Sequence, residues 1–234
     1  MKEVNIKTFY ALDLDRTLLD TVKAADLFRS VVAEHDVVLA ETLAQEVEDY
    51  SLRGKSFSMR DFIAERAGEP VTAEIEAKFI KVAATHNLLN AGAKELIAFI
   101  ETLPDADFGI LTYGSPSGQM MKIRAAGLAS IRHLVTSEAF KGQQISSWRT
   151  QDGFYSLPEP LGGGRAATVV LVDDKSFSFQ GLASDCRGYW VSPLRGKGED
   201  HPVDTITPVN SLAEVIAFER AMTVRHPFQH VTLN

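Results

Sequence analysis

The stretch Phe9-Tyr10-Ala11-Leu12-Asp13-Leu14-Asp15-Arg16-Thr17-Leu18-Leu19-Asp20 decides how the rest of the chain is read. An apolar run climbs into two aspartates one residue apart, and a threonine follows. The run lacks strict alternation, so it predicts a strand from Lys7 to Leu12 that is buried on both faces. Asp13 then stands at the carboxyl end of that strand, where open α/β sheets bind ligands. Asp13 and Asp15 share one parity, and both point into one crevice if strand geometry persists that far. Carboxylates this close need a cation between them, or one must hold a proton. Taken alone, the same letters also fit an aspartate-rich turn leaving a strand.

Beyond Asp20 the period becomes helical. Ala24, Leu27, Phe28, Val31 and Val32 recur at helical spacing, and the signal continues through Leu43, Val47 and Tyr50. It breaks at residues 51–58, resumes over Met59 to Ala67, halts at Gly68-Glu69-Pro70 and runs again from Thr72 to about Leu88. Residues 21–89 therefore read as all-helical.

Past Asn90, helices and strands alternate. Gly92 to Leu103 reads as a helix, and Phe108-Gly109-Ile110-Leu111 as a short buried strand ending at Thr112. Ser115 caps a helix with Pro116 at its first position. Ile131 to Val135 reads as a strand, followed by a loop carrying Lys141. Thr168 to Val172 is the clearest strand and ends in Asp173-Asp174. A helical segment over Ser176 to Ala183, a last strand over Gly188 to Val191 and a last helix over Leu212 to Met222 complete the pattern. Such alternation implies α/β architecture: a Rossmann-like parallel sheet with helices on both faces. The all-helical segment is then an inserted cap domain. Residues 1–20 and 90–234 make a discontinuous core, and residues 21–89 the cap.

The chain has 234 residues, 45% hydrophobic, enough for a sizeable core. A net charge of −7 argues against a general nucleic-acid binder. The single cysteine, Cys186, rules out an internal disulfide and fits a reducing, cytoplasmic setting. Residues 1–5 lack a signal-peptide core, and no apolar run is long enough to span a membrane.

Each core strand thus ends in a polar group: Asp13 and Asp15, Thr112, Asp173-Asp174, with Lys141 after the Ile131 strand. Parallel strands present their carboxyl ends along one edge, so these groups can converge. Several carboxylates with a hydroxyl and a lysine suit a hard cation such as Mg²⁺ and a phosphoryl group.

The order Asp-x-Asp-x-Thr, strand-end Thr, Lys, Asp-Asp resembles the haloacid dehalogenase-like (HAD) hydrolase superfamily, over about two-thirds of the chain. The helical insert resembles that family's C1-type cap. The resemblance implies a role for each matching residue. Asp13 is the nucleophile that forms an aspartyl-phosphate, and Asp15 the general acid/base, its backbone carbonyl also a metal ligand. Thr112 orients the phosphoryl group, and Asp173 and Asp174 join Asp13 in holding Mg²⁺. Lys141 is favoured over Lys122 as the phosphate-binding lysine, because helical phase turns Lys122 to solvent. Arg16 stands where the family most often has glycine, and a helical turn with Arg16 outward is expected.

Asp15 favours phosphate chemistry over carbon–halogen hydrolysis, which has no alkoxide to protonate. The expected activity is Mg²⁺-dependent hydrolysis of a small phosphorylated metabolite. A phosphomutase and a non-catalytic binding protein of the same fold are the alternatives. Arg53 and Lys55, between two cap helices, resemble the family's specificity loop, though a solvated connection reads the same. Tyr113 and Gly114 follow Thr112 and can line the pocket, and Tyr113 reads equally as a packing aromatic.

Overall fold

A computed structural model describes residues 5–52, 57–192 and 205–225. The deciding stretch forms β1 (Asn5–Leu12), and Phe9 to Leu12 are each at most 1% exposed. Side chains alternate across a strand. Phe9 and Ala11 join one apolar cluster with Leu111, Val169, Leu171 and Trp148. Tyr10 and Leu12 join the other, with Leu96, Ile110, Val170 and Val215. Both faces are covered, which is why the sequence shows a continuous apolar run instead of alternation.

Among the described residues, seven strands make one sheet. The others are β2 (Ala106–Tyr113), β3 (His133–Thr136), β4 (Tyr155–Ser156), β5 (Arg165–Asp173), β6 (Arg187–Val191) and β7 (Ile206–Val209). The order is β3-β2-β1-β5-β6-β7, all parallel, with β4 antiparallel to β5. Leu12 pairs in register with both Ile110 and Val172. Asp13, Thr112 and Asp173 therefore lie at the same edge of the sheet, as the parallel-strand pattern predicts.

Four helices follow β1: α1 (Thr21–His35), α2 (Val37–Leu52), α3 (Met59–Ala67) and α4 (Glu69–Ala83). Asp20 caps α1 by accepting from the Lys23 amide, and Ser58 caps α3 by accepting from the Asp61 amide. Phe28 and Phe79 pack edge to face at 5.2 Å inside this helical cap. The two crossings between cap and sheet run side by side. The Asp20 amide donates to Leu88 O and the Asn90 amide to Leu18 O, each at 2.9 Å. Asn90 Nδ2 also donates to the carbonyls of Arg16, Thr17 and Leu19 at 2.7, 2.9 and 3.2 Å. The remaining helices are α5 (Ala93–Glu101), α6 (Pro116–Ala125), α7 (Lys141–Ser147) and α8 (Leu212–Arg225).

Several expectations from sequence are corrected. Lys141 opens helix α7; it does not sit in a loop. The helical segment after Asp174 is one 3₁₀ turn, Ser176–Phe179, and Gly181 stops it at φ +74°. The strand after Gly188 is not the last, because β7 follows it as an edge strand. Pro208 hid β7 from the pattern, and an edge is where a strand tolerates proline. Arg16 points outward but does not lie in a helical turn: its φ is +63°. Arg53 and Lys55 lie outside the described residues. Among the described residues, no helix is long and apolar enough to cross a membrane.

Candidate active site

Asp13 is the first residue past β1, and its amide donates to Val172 O at 2.9 Å. That bond holds it against the end of β5, which carries Asp173. Lys141 lies between the two. Its Nζ donates to Asp13 Oδ1 and, at 2.7 Å, to Asp173 Oδ2. The lysine is only 2% exposed. It reaches this depth because α7 approaches the segment after β5 very closely. A Cβ on Gly142 would lie 2.7–2.8 Å from the backbone of residues 179, 180 and 182, so only glycine fits there.

Asp174 completes the group. Carboxylate oxygens of Asp13, Asp173 and Asp174 all lie within 4.8 Å of one another. Lys141 pairs with two of these three carboxylates, Asp13 and Asp173, so negative charge is in excess within the cluster. Burial, then the neighbouring aspartates, push Asp13 far above the ordinary carboxylate range, with Lys141 pulling against them. Burial, then Asp173, push Asp174 up to about 6. Burial alone would lower Lys141, but Asp13 and Asp173 outweigh it and hold the ammonium above its usual range.

This donor set fits a hard divalent cation. Asp173 already accepts from Lys141 on one oxygen and from the Lys175 amide, at 2.8 Å, on the other. Asp174 Oδ1, by contrast, is buried with no hydrogen-bond partner among the described residues. An all-oxygen cluster with an orphaned carboxylate oxygen is what Mg²⁺ takes as ligands. Asp174 is thus the freer ligand, and Asp173 the one more occupied by the protein.

Asp15 turns away from that cluster. Lys122 Nζ lies 2.8 Å from both its oxygens, Gln119 Nε2 donates to Oδ2 at 2.9 Å, and Thr21 Oγ1 donates to Oδ1 at 3.1 Å. Burial opposes the charge, but Lys122 and these hydrogen bonds win, so Asp15 sits below its ordinary pKa. The expectation that Lys122 faces solvent is therefore wrong. Helix α6 packs against the sheet on one side and against α3 and α4 on the other, so it has no open face at that phase. Gln119 and Lys122, three residues apart, share one helix face. Gly114 makes room for Gln119: at φ +146°, a Cβ there would meet Gln119 Nε2 at 2.7 Å.

Thr112 is 1% exposed, and its Oγ1 has no hydrogen-bond partner among the described residues. The same holds for Thr17 Oγ1. A buried unpaired hydroxyl costs about 1–3 kcal/mol, so these two await an acceptor. Asp13, Asp15, Tyr113, Lys141, Lys175, Phe177 and Ser178 line one small cavity. The structure thus brings together Asp13, Asp15, Lys141, Asp173, Asp174 and Tyr113. Sequence reasoning missed Gln119, and the polar i, i+3 pair Gln119/Lys122 among the buried α6 positions 118, 121 and 123 was the signal for it.

No protein-family model matches the chain, and no curated protein matches its sequence. Solved structures do match. One described as a haloacid dehalogenase-like hydrolase of Burkholderia xenovorans LB400 is 16% identical, with a TM-score of 0.61 over 92% of this chain and 98% of that one. The L-2-haloacid dehalogenase of Xanthobacter autotrophicus is 18% identical, with a TM-score of 0.50 over 93% and 99%. The magnesium-bound HAD hydrolase YfnB of Bacillus subtilis is 17% identical, with a TM-score of 0.50 over 92% and 98%. The chain has the fold of the HAD-like hydrolases.

Proposed function

We propose that the chain is a Mg²⁺-dependent phosphatase that hydrolyses a small phosphorylated metabolite through an aspartyl-phosphate on Asp13. One observation carries this reading. Asp13, Asp173 and Asp174 cluster together, buried Lys141 bonds the first two, and a second acid, Asp15, lines the cavity with Asp13 and Lys141. Displacement of a halide needs no second acid, whereas displacement of an alkoxide does.

Asp13, Asp174 and the backbone carbonyl of Asp15 would hold the cation, with Asp173 directly or through water. Bound there, the cation would offset the charge of the carboxylates and of the phosphoryl oxygens. The Asp13 carboxylate attacks phosphorus, a P–O bond forms, and the ester P–O bond breaks. Asp15 gives its proton to the leaving oxygen, then takes one from the water that attacks the acyl phosphate. That attack releases inorganic phosphate and restores Asp13. Lys141 keeps Asp13 oriented and draws its charge toward the site, while the unpaired Thr112 hydroxyl donates to a phosphoryl oxygen. Lys122 favours the ionised Asp15 that activates water, so the acid step needs that ion pair to loosen.

The test is release of inorganic phosphate from a panel of phosphorylated metabolites, with Mg²⁺ and with chelator. Turnover that needs Mg²⁺ and is lost in Asp13→Asn supports the reading. Full activity in chelator, or in Asp13→Asn, would overturn it. An isomeric phosphate ester as product, in place of inorganic phosphate, would make the protein a mutase.

A further inference from the structure

The cavity that holds the carboxylates is small. Its empty volume is about 260 Å³, with the open space at its mouth included. An ester whose phosphoryl group reaches the carboxylates must therefore carry its alcohol part past the other lining residues. Besides the carboxylates and Lys141, Tyr113, Lys175 and Phe177 line the cavity.

Phe177 is 46% exposed, although it lies two residues from the buried Phe179 in the same 3₁₀ turn. Its ring meets Phe140 edge to face, with centroids 6.4 Å apart at 90°. Phe140 is itself 38% exposed and immediately precedes Lys141. Lys175 Nζ lies 5.7 Å from the Phe177 ring centroid. Single exposed apolar side chains need no explanation. Here Phe177, which lines the charged cavity, pairs with a second exposed phenylalanine, and an ammonium lies beside the Phe177 ring. The pairing supports one edge of the Phe177 ring and leaves part of the ring open to a ligand.

We propose that Phe177, backed by Phe140, forms an aromatic platform that selects phosphate monoesters whose alcohol part carries a planar apolar ring next to the phosphoryl group. Lys175, which lines the same cavity, offers such an ester a cation beside the platform. The assignment rests on the phosphatase reading for its place at the leaving-group side, but recognition by the platform is separable from turnover.

The experiment therefore measures both. Benzylphosphonate and ethylphosphonate, which cannot be hydrolysed at the P–C bond, are titrated calorimetrically into the Mg²⁺-loaded full chain. In parallel, kcat/KM is measured for benzyl phosphate and ethyl phosphate, whose leaving alkoxides are similarly basic. A stacked ring contributes on the order of a ten-fold preference for the benzyl member of each pair. Phe177→Ala reduces that preference about five-fold or more, and Phe177→Tyr, which keeps the ring, retains it. Equal affinity for the two phosphonates, no binding of either, or an undiminished preference in Phe177→Ala overturns the platform. Tight, ring-selective phosphonate binding without any ester turnover would leave the platform standing and remove the phosphatase reading instead.

Discussion

Lys122 closes on Asp15 across 107 residues of sequence, with its Nζ 2.8 Å from both carboxylate oxygens. The ion pair holds the second acid of the site in its ionised form. Removing the ammonium removes the main influence that lowers the pKa of Asp15, so that pKa rises. In Lys122→Met the alkaline limb of the pH profile of kcat/KM for an alkyl phosphate should move to higher pH. Lys122→Arg should restore most of the wild-type profile. The Met variant should also lose about 1–3 kcal/mol of stability, since a largely buried carboxylate loses a charged partner. An unmoved profile would show that Asp15 is not the group that titrates in catalysis.

The excess of carboxylates gives a pH dependence with a definite sign. The ordinary aspartate value is 3.8, and the fold raises Asp13 to about 8 and Asp174 to about 6. The folded state holds protons that the unfolded chain gives up. This contribution to stability is full below the ordinary value and is lost as pH rises through about 6 and then about 8. Asp15, lowered, contributes in the opposite sense: its share is present above the ordinary value and disappears at lower pH. Metal-free protein should therefore melt at falling temperatures from about pH 5 to about pH 9. Mg²⁺ binds the ionised carboxylates, so its stabilising effect should grow over the same range. Melting curves with Mg²⁺ and with chelator measure both. A Mg²⁺ effect that shrinks with rising pH would contradict the assignment of Asp13 and Asp174 as ligands.

Much of this site was legible in sequence, for a physical reason. Parallel strands bury both faces, so each reads as an apolar run, and the first polar residue past the run marks the functional edge. Asp13, Thr112 and Asp173 were found that way. Lys122 was misread because helical phase was judged as if the far side of α6 met solvent, whereas α3 and α4 cover it. The left-handed backbone of Arg16 was hidden because nothing in an arginine announces positive φ. Its amide donates to Leu19 O and to Thr21 Oγ1, both at 2.9 Å, and these bonds hold the turn. Asn90 carries three hydrogen bonds that join the second crossing to that turn, yet it reads in sequence as a loop residue. Strand β4 pairs through Tyr155 and Ser156 alone, too short to show a period.

Cap and core meet at Asp61. Its carboxylate accepts from the hydroxyls of Ser115 and Ser117 at the start of α6. It also sits in the first turn of α3, so two helix N-termini face one negative charge. These hydrogen bonds hold Asp61 below its ordinary pKa against its partial burial. Asp61→Ala should loosen the cap locally. Hydrogen exchange should quicken in the first turns of α3 and α6, and KM should rise more than kcat falls. Because the side chain is 36% exposed, the stability loss should stay near 1 kcal/mol. Exchange unchanged in both turns would mean that other contacts seat the cap.

Glu219 offers a contrast, a buried charge that serves the fold. It is 4% exposed on α8, where it accepts from Tyr10 Oη at 2.6 Å and Tyr189 Oη at 2.7 Å, and pairs with Arg187 at 3.2 Å. Burial first, then the charge of Glu219, holds both phenols well above their usual range. The network ties the last helix to β1 and β6 on the face away from α7. Tyr10→Phe keeps the ring and removes one donor, leaving a buried carboxylate less well satisfied. It should cost about 1.5–3 kcal/mol, seen as a lower denaturation midpoint with an unchanged slope. Tyr189→Phe should cost a similar amount, and the double variant should depart from the sum, because both phenols serve one carboxylate. Turnover measured well below the melting temperature should stay at the wild-type level in each. Strict additivity of the two losses would show that Glu219 does not link the two tyrosines. A fall in turnover without a fall in stability would place the network in the chemistry of Asp13, three residues beyond Tyr10.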